Sequence, residues 1–346
     1  MKKTQVALAA LALVASTAAL ADGVTVYGTL DASMVNTNNG GGSSFSGPGQ
    51  WGANAIGFRG TTDLDNGMKA GFNLEGGFTS AHGANANGGT TGLFNRAANV
   101  SLSGDFGSVT AGVQVSPFIA SSGSALALAG NNFVVPALAN SGTIDGNDAA
   151  GTATKTGGFF ISNAISYANS FGPVSFSVLT ASKGTATGGA SFEETNQYLG
   201  GNVSYSDGGL FLTAAMADRN QAYKSVMVGA SYTMDGTKFA GQVHDYQAGI
   251  NPTTASDRKT YILSASYAIT GSTTVGVNYV KTDVTGSAVD PKLTNVSLLH
   301  SLGKSTSIYA FVGNGKGGSG VSYGAAVPTS VTGVTSAYGV GINHNF

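Results

Sequence analysis

Four histidines, His82, His244, His300 and His344, are the first residues to weigh for chemistry. None stands at metal-ligand spacing from a second histidine or a carboxylate pair, so they propose no metal site. His244-Asp245 imitates part of a hydrolase triad. Neighbouring residues on a strand point to opposite faces, however, so these two cannot pair directly. Asp145-Gly146-Asn147-Asp148 hints at a calcium loop but lacks the spacing and the terminal glutamate. Gly313-Asn314-Gly315-Lys316-Gly317-Gly318 looks superficially phosphate-binding, yet it lacks the full phosphate-loop pattern and a following helix. No catalytic residue, metal or cofactor is expected, and the chain is not read as an enzyme.

The elements around these residues are more informative. Val24, Val26, Gly28, Leu30, Ala32 and Met34 share one parity, with Thr25, Tyr27, Thr29, Asp31 and Ser33 on the other. Met68 to Phe78 alternates in the same way over about ten residues, the length of a tilted membrane strand. At the carboxyl end, Tyr338, Val340, Ile342, His344 and Phe346 form an apolar face against Gly339, Gly341, Asn343 and Asn345. A terminal aromatic on such a strand fits an assembly signal of outer-membrane barrels, and it also fits an ordinary edge strand.

Tight turns recur at Asp65-Asn66-Gly67, Gly104-Asp105-Phe106-Gly107, Asn169-Ser170-Phe171-Gly172, Asp207-Gly208-Gly209, Asp235-Gly236, Thr270-Gly271 and Leu302-Gly303. Between them lie longer Gly/Ser/Asn/Thr-rich connections at about 37–54, 79–93, 116–158, 182–194, 219–224, 247–258, 283–291 and 314–335. Short and long connections alternate, which predicts an all-β transmembrane antiparallel barrel of about 16 strands in one domain. Such a barrel encloses an aqueous channel. No fixed repeat period argues for a solenoid. The longest connection, 116–158, carries apolar patches at Ala125 to Leu128 and Phe133 to Leu138. It reads as an external loop with a hydrophobic turn or as a segment folded into the lumen. Trp51, the single tryptophan, reads as an interfacial anchor or a loop-packing residue.

Composition agrees. Charged residues make up 10%, well under the ~25% of a soluble domain. Low charge with 53 glycines suits a lipid face that excludes charge and a polar lumen. Without cysteine, an exported chain relies on its fold alone. The net charge of -1 gives no footprint for nucleic acid. Lys2 and Lys3, the apolar run Val6 to Val14 and Ala19-Leu20-Ala21 read as a signal peptide over residues 1–21, leaving a barrel domain of 22–346.

Val24-Thr25-Val26-Tyr27-Gly28-Thr29-Leu30-Asp31 resembles the first strand of Gram-negative general porins, nearest their beta-proteobacterial branch. Ile56 to Leu64, Gly67 to Glu75 and Phe94 to Gln114 resemble the strands that follow. Asn163 to Tyr167, Gly303 to Tyr309 and Phe346 extend the match over the mature chain. The resemblance implies an outer-membrane homotrimer that passes small hydrophilic solutes. It implies the barrel-assembly machinery, outer-membrane lipid and lipopolysaccharide as partners, with Val26, Leu30 and Ala32 near the protomer contact. It favours a third loop inside the lumen and a constriction where Arg59, Lys69 and Arg96 face Asp31, Glu75, Asp145 and Asp148. The chain departs from the family at Ala55, Val113 and Ser305, positions that often hold arginine. Its constriction field is therefore expected to be weaker than usual, with a slight anion preference. A substrate-selective channel of the same fold and a non-conducting surface adhesin are the competing readings.

Overall fold

Alternation of apolar and small polar residues leaves each segment one face for lipid and one for water, and the backbone resolves this as strands. The computed structural model describes residues 23–38, 42–47, 49–85, 92–128, 159–182, 197–220, 223–248, 257–286, 290–316 and 336–346. Residues 1–21, read as the signal peptide, lie outside them, as does the patch Phe133 to Leu138. The strands are β1 (Thr25–Thr37), β2 (Gly42–Ser46), β3 (Ala55–Asp63), β4 (Lys69–Gly77), β5 (Ala97–Gly104) and β6 (Gly107–Val115). After a helix, α1 (Pro117–Ser124), come β7 (Phe160–Phe171), β8 (Val174–Ala181), β9 (Tyr198–Asp207), β10 (Leu210–Arg219), β11 (Tyr223–Met234) and β12 (Thr237–Ala248). The last are β13 (Arg258–Ala268), β14 (Thr273–Val284), β15 (Lys292–Ser301), β16 (Thr306–Lys316) and β17 (Ser336–Asn345).

Every pairing is antiparallel, and β1 returns to pair with β17 from Thr29↔Asn345 to Thr37↔Ala337. This closes a 16-stranded barrel, with β2 as a short extra strand inside the first long connection. Closure leaves no edge, so the backbone donors and acceptors of each strand are met on both sides, as lipid requires. The short turns all lie at one end and the long connections at the other. The outward face presents Val26, Leu30, Val100, Val226, Leu263, Val340 and many similar side chains, all exposed in the isolated chain. An exposed apolar belt of this extent belongs against acyl chains.

The seam between first and last strands has a specific fastening. β3 pairs with the lower half of β1, Thr25 to Thr29, and β2 pairs with its upper half, Ser33 to Thr37. At Asp31 neither strand is alongside. The Asn54 carboxamide fills the gap: its Oδ1 accepts from the Asp31 amide, and its Nδ2 donates to the Asp31 carbonyl at 3.0 Å. The Asp31 carboxylate accepts from the backbone N–H groups of Gln50, Trp51 and Gly52, from the Tyr309 hydroxyl at 2.6 Å, and from Asn343 Nδ2. Tyr309 stands on β16 and must cross β17 to reach Asp31. It can because Gly341 carries no side chain; a Cβ there would overlap the Tyr309 ring. The small face of the last strand therefore has a mechanical purpose.

One sequence expectation changes here, and one open alternative is resolved. Asp31 does not line the constriction: it is fully buried, and its charge is spent on binding the first long loop to the seam. Trp51 is a loop-packing residue, its ring 5.7 Å from that of Tyr309. Replacing a carboxylate that satisfies this many donors leaves them unpaired or wet. Asp31→Ala should lower stability by about 3 kcal/mol, read as a lower thermal unfolding temperature in detergent, whereas Asp63→Ala, at an exposed turn-end pair, should change it little.

Candidate pore constriction

The described start of the third long connection, residues 116–128, enters the lumen. Ser116 donates its N–H to the Phe159 carbonyl, and its hydroxyl lies 2.7 Å from that of Tyr198 on β9. Pro117 opens α1, where its fixed φ suits the first helical turn. The helix packs against the inner wall of β8 to β11. Phe118 meets the His244 ring edge-on at 5.6 Å, and Gln242 Nε2 donates to the Ser122 carbonyl at 2.9 Å. Beyond the helix, Ala127 N–H donates to Ser264 Oγ while Ser266 Oγ donates to the Ala127 carbonyl, both at 3.0 Å. Leu128 then lies against Gly276 of β14. Residues 116–128 thus cross the inside of the barrel, and the apolar run Ala125 to Leu128 is buried there. Of the two readings of this connection, the inward one describes these residues. Asp145 and Asp148 lie outside the described residues.

The wall of the first strands carries the charged groups. Arg59 on β3 lies over the Tyr27 ring of β1, 4.8 Å from its centroid. Tyr27 lies flat because its register partner is Gly57, where a Cβ would overlap the ring. The Tyr27 hydroxyl stands 2.7 Å from Glu75 Oε2 and 2.8 Å from Asn73 Oδ1, so its single proton serves one acceptor at a time. The other oxygen of Glu75 accepts from Arg96 Nε at 2.5 Å. Arg96 in turn lies 4.8 Å from the Phe160 centroid. Its aim depends on a backbone irregularity: Glu75 is the register partner of Ala97, yet its carbonyl accepts from the Arg96 N–H. Two residues facing one is the signature of a bulge.

Of the expected charges, Arg59, Glu75 and Arg96 form one chain of contacts through Tyr27. Lys69 stands apart at the turn end of β4, where it pairs with Asp63 at 2.6 Å and is exposed. Its ion pair reaches away from Glu75 toward the rim. Other inward residues escaped the sequence reading. Gln114 follows a register shift at Gly112–Gln114 and accepts from Ser166 Oγ at 2.5 Å. Lys238, Arg219 and Arg258 take inward parity on β12, β10 and β13, alongside the buried Ala240, Ala217 and Thr260. The faint signal for them was strand parity in the middle of the chain, where a one-residue slip exchanges the faces. An aromatic cluster also emerges: Tyr223 stacks on Tyr246 at 5.6 Å, and Arg219 lies 5.8 Å from the Tyr223 centroid. Both rings are at most 9% exposed, so they are wall packing rather than an open track.

His244 and Asp245 diverge as strand geometry requires. His244 is buried inward, 2.9 Å from Gln242 Oε1, and Asp245 points outward to Lys259. A hydrolase-like pair is therefore absent at this position.

A family model described as Gram-negative porin matches residues 7–343. Outer membrane porin protein 32 of Delftia acidovorans is 33% identical over 374 residues and is covered completely, as is this chain. Among solved structures, an anion-selective porin from Comamonas acidovorans superposes with a TM-score of 0.71 at 26% identity, covering 94% of this chain and 100% of that one. The trimer form of OmpT from Vibrio cholerae gives 0.66 at 13% identity, covering 94% and 100%, which speaks for the fold alone.

The loop contacts yield a direct expectation. Ser264→Ala with Ser266→Ala removes both hydrogen bonds that hold Ala127 to the wall, roughly 1 kcal/mol each. Single-channel recordings should show noisier current and a lower voltage threshold for closure, with the barrel's thermal stability nearly unchanged.

Proposed function

This chain belongs to the Gram-negative porin family, and we propose that its channel carries a weak anion preference set by Arg59, Arg96 and their inward neighbours. The protein is an outer-membrane barrel for passive diffusion of small hydrophilic solutes. The observation that carries the selectivity reading is the inward charge balance. Among the described residues six cations, Arg59, Lys69, Arg96, Arg219, Lys238 and Arg258, take inward positions against three carboxylates, Asp31, Asp63 and Glu75. Asp31 is buried, as are Arg219 and Arg258, which leaves Arg59, Lys69, Arg96 and Lys238 against Asp63 and Glu75, with Glu75 shared between Tyr27 and Arg96. Asp145 and Asp148 would oppose it were they to reach the lumen. Screening over about 8–10 Å in an aqueous pore limits the effect. The anion selectivity of the Comamonas relative supports the same sign. The buried state of Tyr223 and Tyr246 favours general diffusion over an affinity track for one substrate class.

The assembly is proposed to be a homotrimer. Val26 and Leu30, exposed on the outward face of β1, with Ala32 between them and the upper strand, would meet the next protomer. Residues 1–21 would direct export. Phe346 would be read by the barrel-assembly machinery. Outer-membrane lipid and lipopolysaccharide would surround the remaining belt.

Planar-bilayer recordings in a salt gradient test the channel reading. Glu75→Gln should move the reversal potential toward anions by freeing Arg96, and Arg96→Ser should move it toward cations. Each change should alter the permeability ratio a few-fold and fade at high salt. A channel indifferent to both substitutions would remove this pair from the current path.

Phe346 N–H and the Phe346 carbonyl exchange hydrogen bonds of 3.0 Å with Gly28. A chain ending at Asn345 should be exported across the inner membrane normally but yield several-fold less inserted barrel, measured by heat-modifiable mobility of outer-membrane fractions.

A further inference from the structure

One uncharged residue ties together the charges on the inward wall of the first strands. Tyr27 of β1, Gly57 of β3, Glu75 of β4 and Ala97 of β5 stand in one row, each opposite the next. A side chain at position 57 would stop the phenol at the first neighbouring strand, since a Cβ there would lie 2.4 Å from the Tyr27 ring. With glycine in that place the ring crosses β3, and its hydroxyl reaches Asn73 and Glu75 on the strand beyond. Strands stand about 4.8 Å apart, so a contact two strands away uses the whole length of the phenol and the reach of the glutamate.

The two ends of Tyr27 do different work. Its ring supports Arg59, which is exposed to the lumen. Among the described residues the Arg59 guanidinium has no ion pair or hydrogen bond, so the aromatic face is what fixes its position. The hydroxyl acts on Glu75. A hydrogen bond to a carboxylate is stronger than one to a neutral amide, so the proton favours Glu75 Oε2 over Asn73. With that oxygen held, Glu75 presents Oε1 to Arg96 Nε at 2.5 Å. Arg59 is the register partner of Asn73, which makes Glu75 its diagonal neighbour on β4. Diagonal positions lie about 7–8 Å apart, within reach of long side chains. A carboxylate no longer held by the hydroxyl is free to turn from Arg96 toward Arg59.

We propose that Tyr27 is the positioning residue of the selectivity wall: its hydroxyl commits Glu75 to Arg96, and its ring holds Arg59 apart from that carboxylate, uncompensated and facing the lumen. One glutamate then neutralises one arginine and not two. The assignment rests on the reading that Arg59 and Arg96 set the anion preference, and adds to it the residue that keeps the two distinct. It also gives Gly57 a role in selectivity, because only glycine lets the phenol pass.

The test measures reversal potentials of the full-length refolded protein in planar bilayers across a potassium chloride gradient. Tyr27→Phe keeps the ring and removes the hydroxyl; it should lower the chloride-to-potassium permeability ratio by about twofold, a modest change because the pore is aqueous and screened. In a Glu75→Gln background the same substitution should have no effect, since no carboxylate is left to turn. Gly57→Ala should also shift the potential toward cations, and should be silent when combined with Tyr27→Ser. Tyr205→Phe, which removes a hydroxyl from the outward parity of β9, should leave the potential unchanged. A Tyr27→Phe channel that matches wild type, while Arg59→Ser and Arg96→Ser each shift the potential, overturns the role of Tyr27 and leaves the selectivity reading standing. Equal Tyr27→Phe shifts with Glu75 and with Gln at position 75 overturn it as well, as does an equal shift from Tyr205→Phe. If neither Arg59→Ser nor Arg96→Ser moves the potential, the selectivity reading itself falls.

Discussion

Closure of β1 on β17 is the constraint from which the rest follows. A sheet in lipid cannot leave a row of unpaired amides and carbonyls, so the first and last strands must meet. Their meeting point is not a uniform ladder. β3 and β2 divide the other edge of β1 between them, and the interval is bridged by side chains. Asn54 stands in for the missing strand, and Asp31 gathers donors from the first loop, β16 and β17. A charge at this place is tolerated because several N–H and O–H groups point at it. It is therefore structural, although its parity is that of the lumen.

The same division of faces governs the pore. Inward positions are free to hold charge because water reaches them, and the folded third loop decides how much of that wall a solute meets. The helix and the segment to Leu128 cover β8 to β14 with hydrogen bonds and buried apolar contacts. The charged wall of β1 to β5 is organised separately. There each arginine has an aromatic face beside it, Arg59 on Tyr27 and Arg96 on Phe160. Such stacking holds a guanidinium flat against the wall and keeps its edge free for hydrogen bonding. The loop anchoring and the arginine wall are thus two independent devices for one constriction.

Outward positions follow the opposite rule. Apolar side chains fill the belt, and lysine–aspartate pairs stand at its upper rim, two of them across neighbouring strands. Ion pairs at such a boundary cost less than lone charges would.

The sequence by itself determined the strand parity, the turn positions, the strand number and the membrane setting, because each rests on neighbours within a few residues. Period-two alternation and Asp-Gly or Asn-Gly turns need no knowledge of what lies across the barrel. The identity of Arg59 and Glu75 as inward residues was legible in the same way, since their strands alternate clearly. Only tertiary structure decided which inward charges act on solute. Asp31 is 278 positions from Tyr309 and 312 from Asn343, so nothing local marks it as a fastening. Lys238, Arg219 and Arg258 could not be aimed, because register in the middle strands is set by cross-strand pairing and one slip reverses every side chain. The bulge at Arg96 turns a side chain of outward parity toward Glu75, and that too is a property of two strands together.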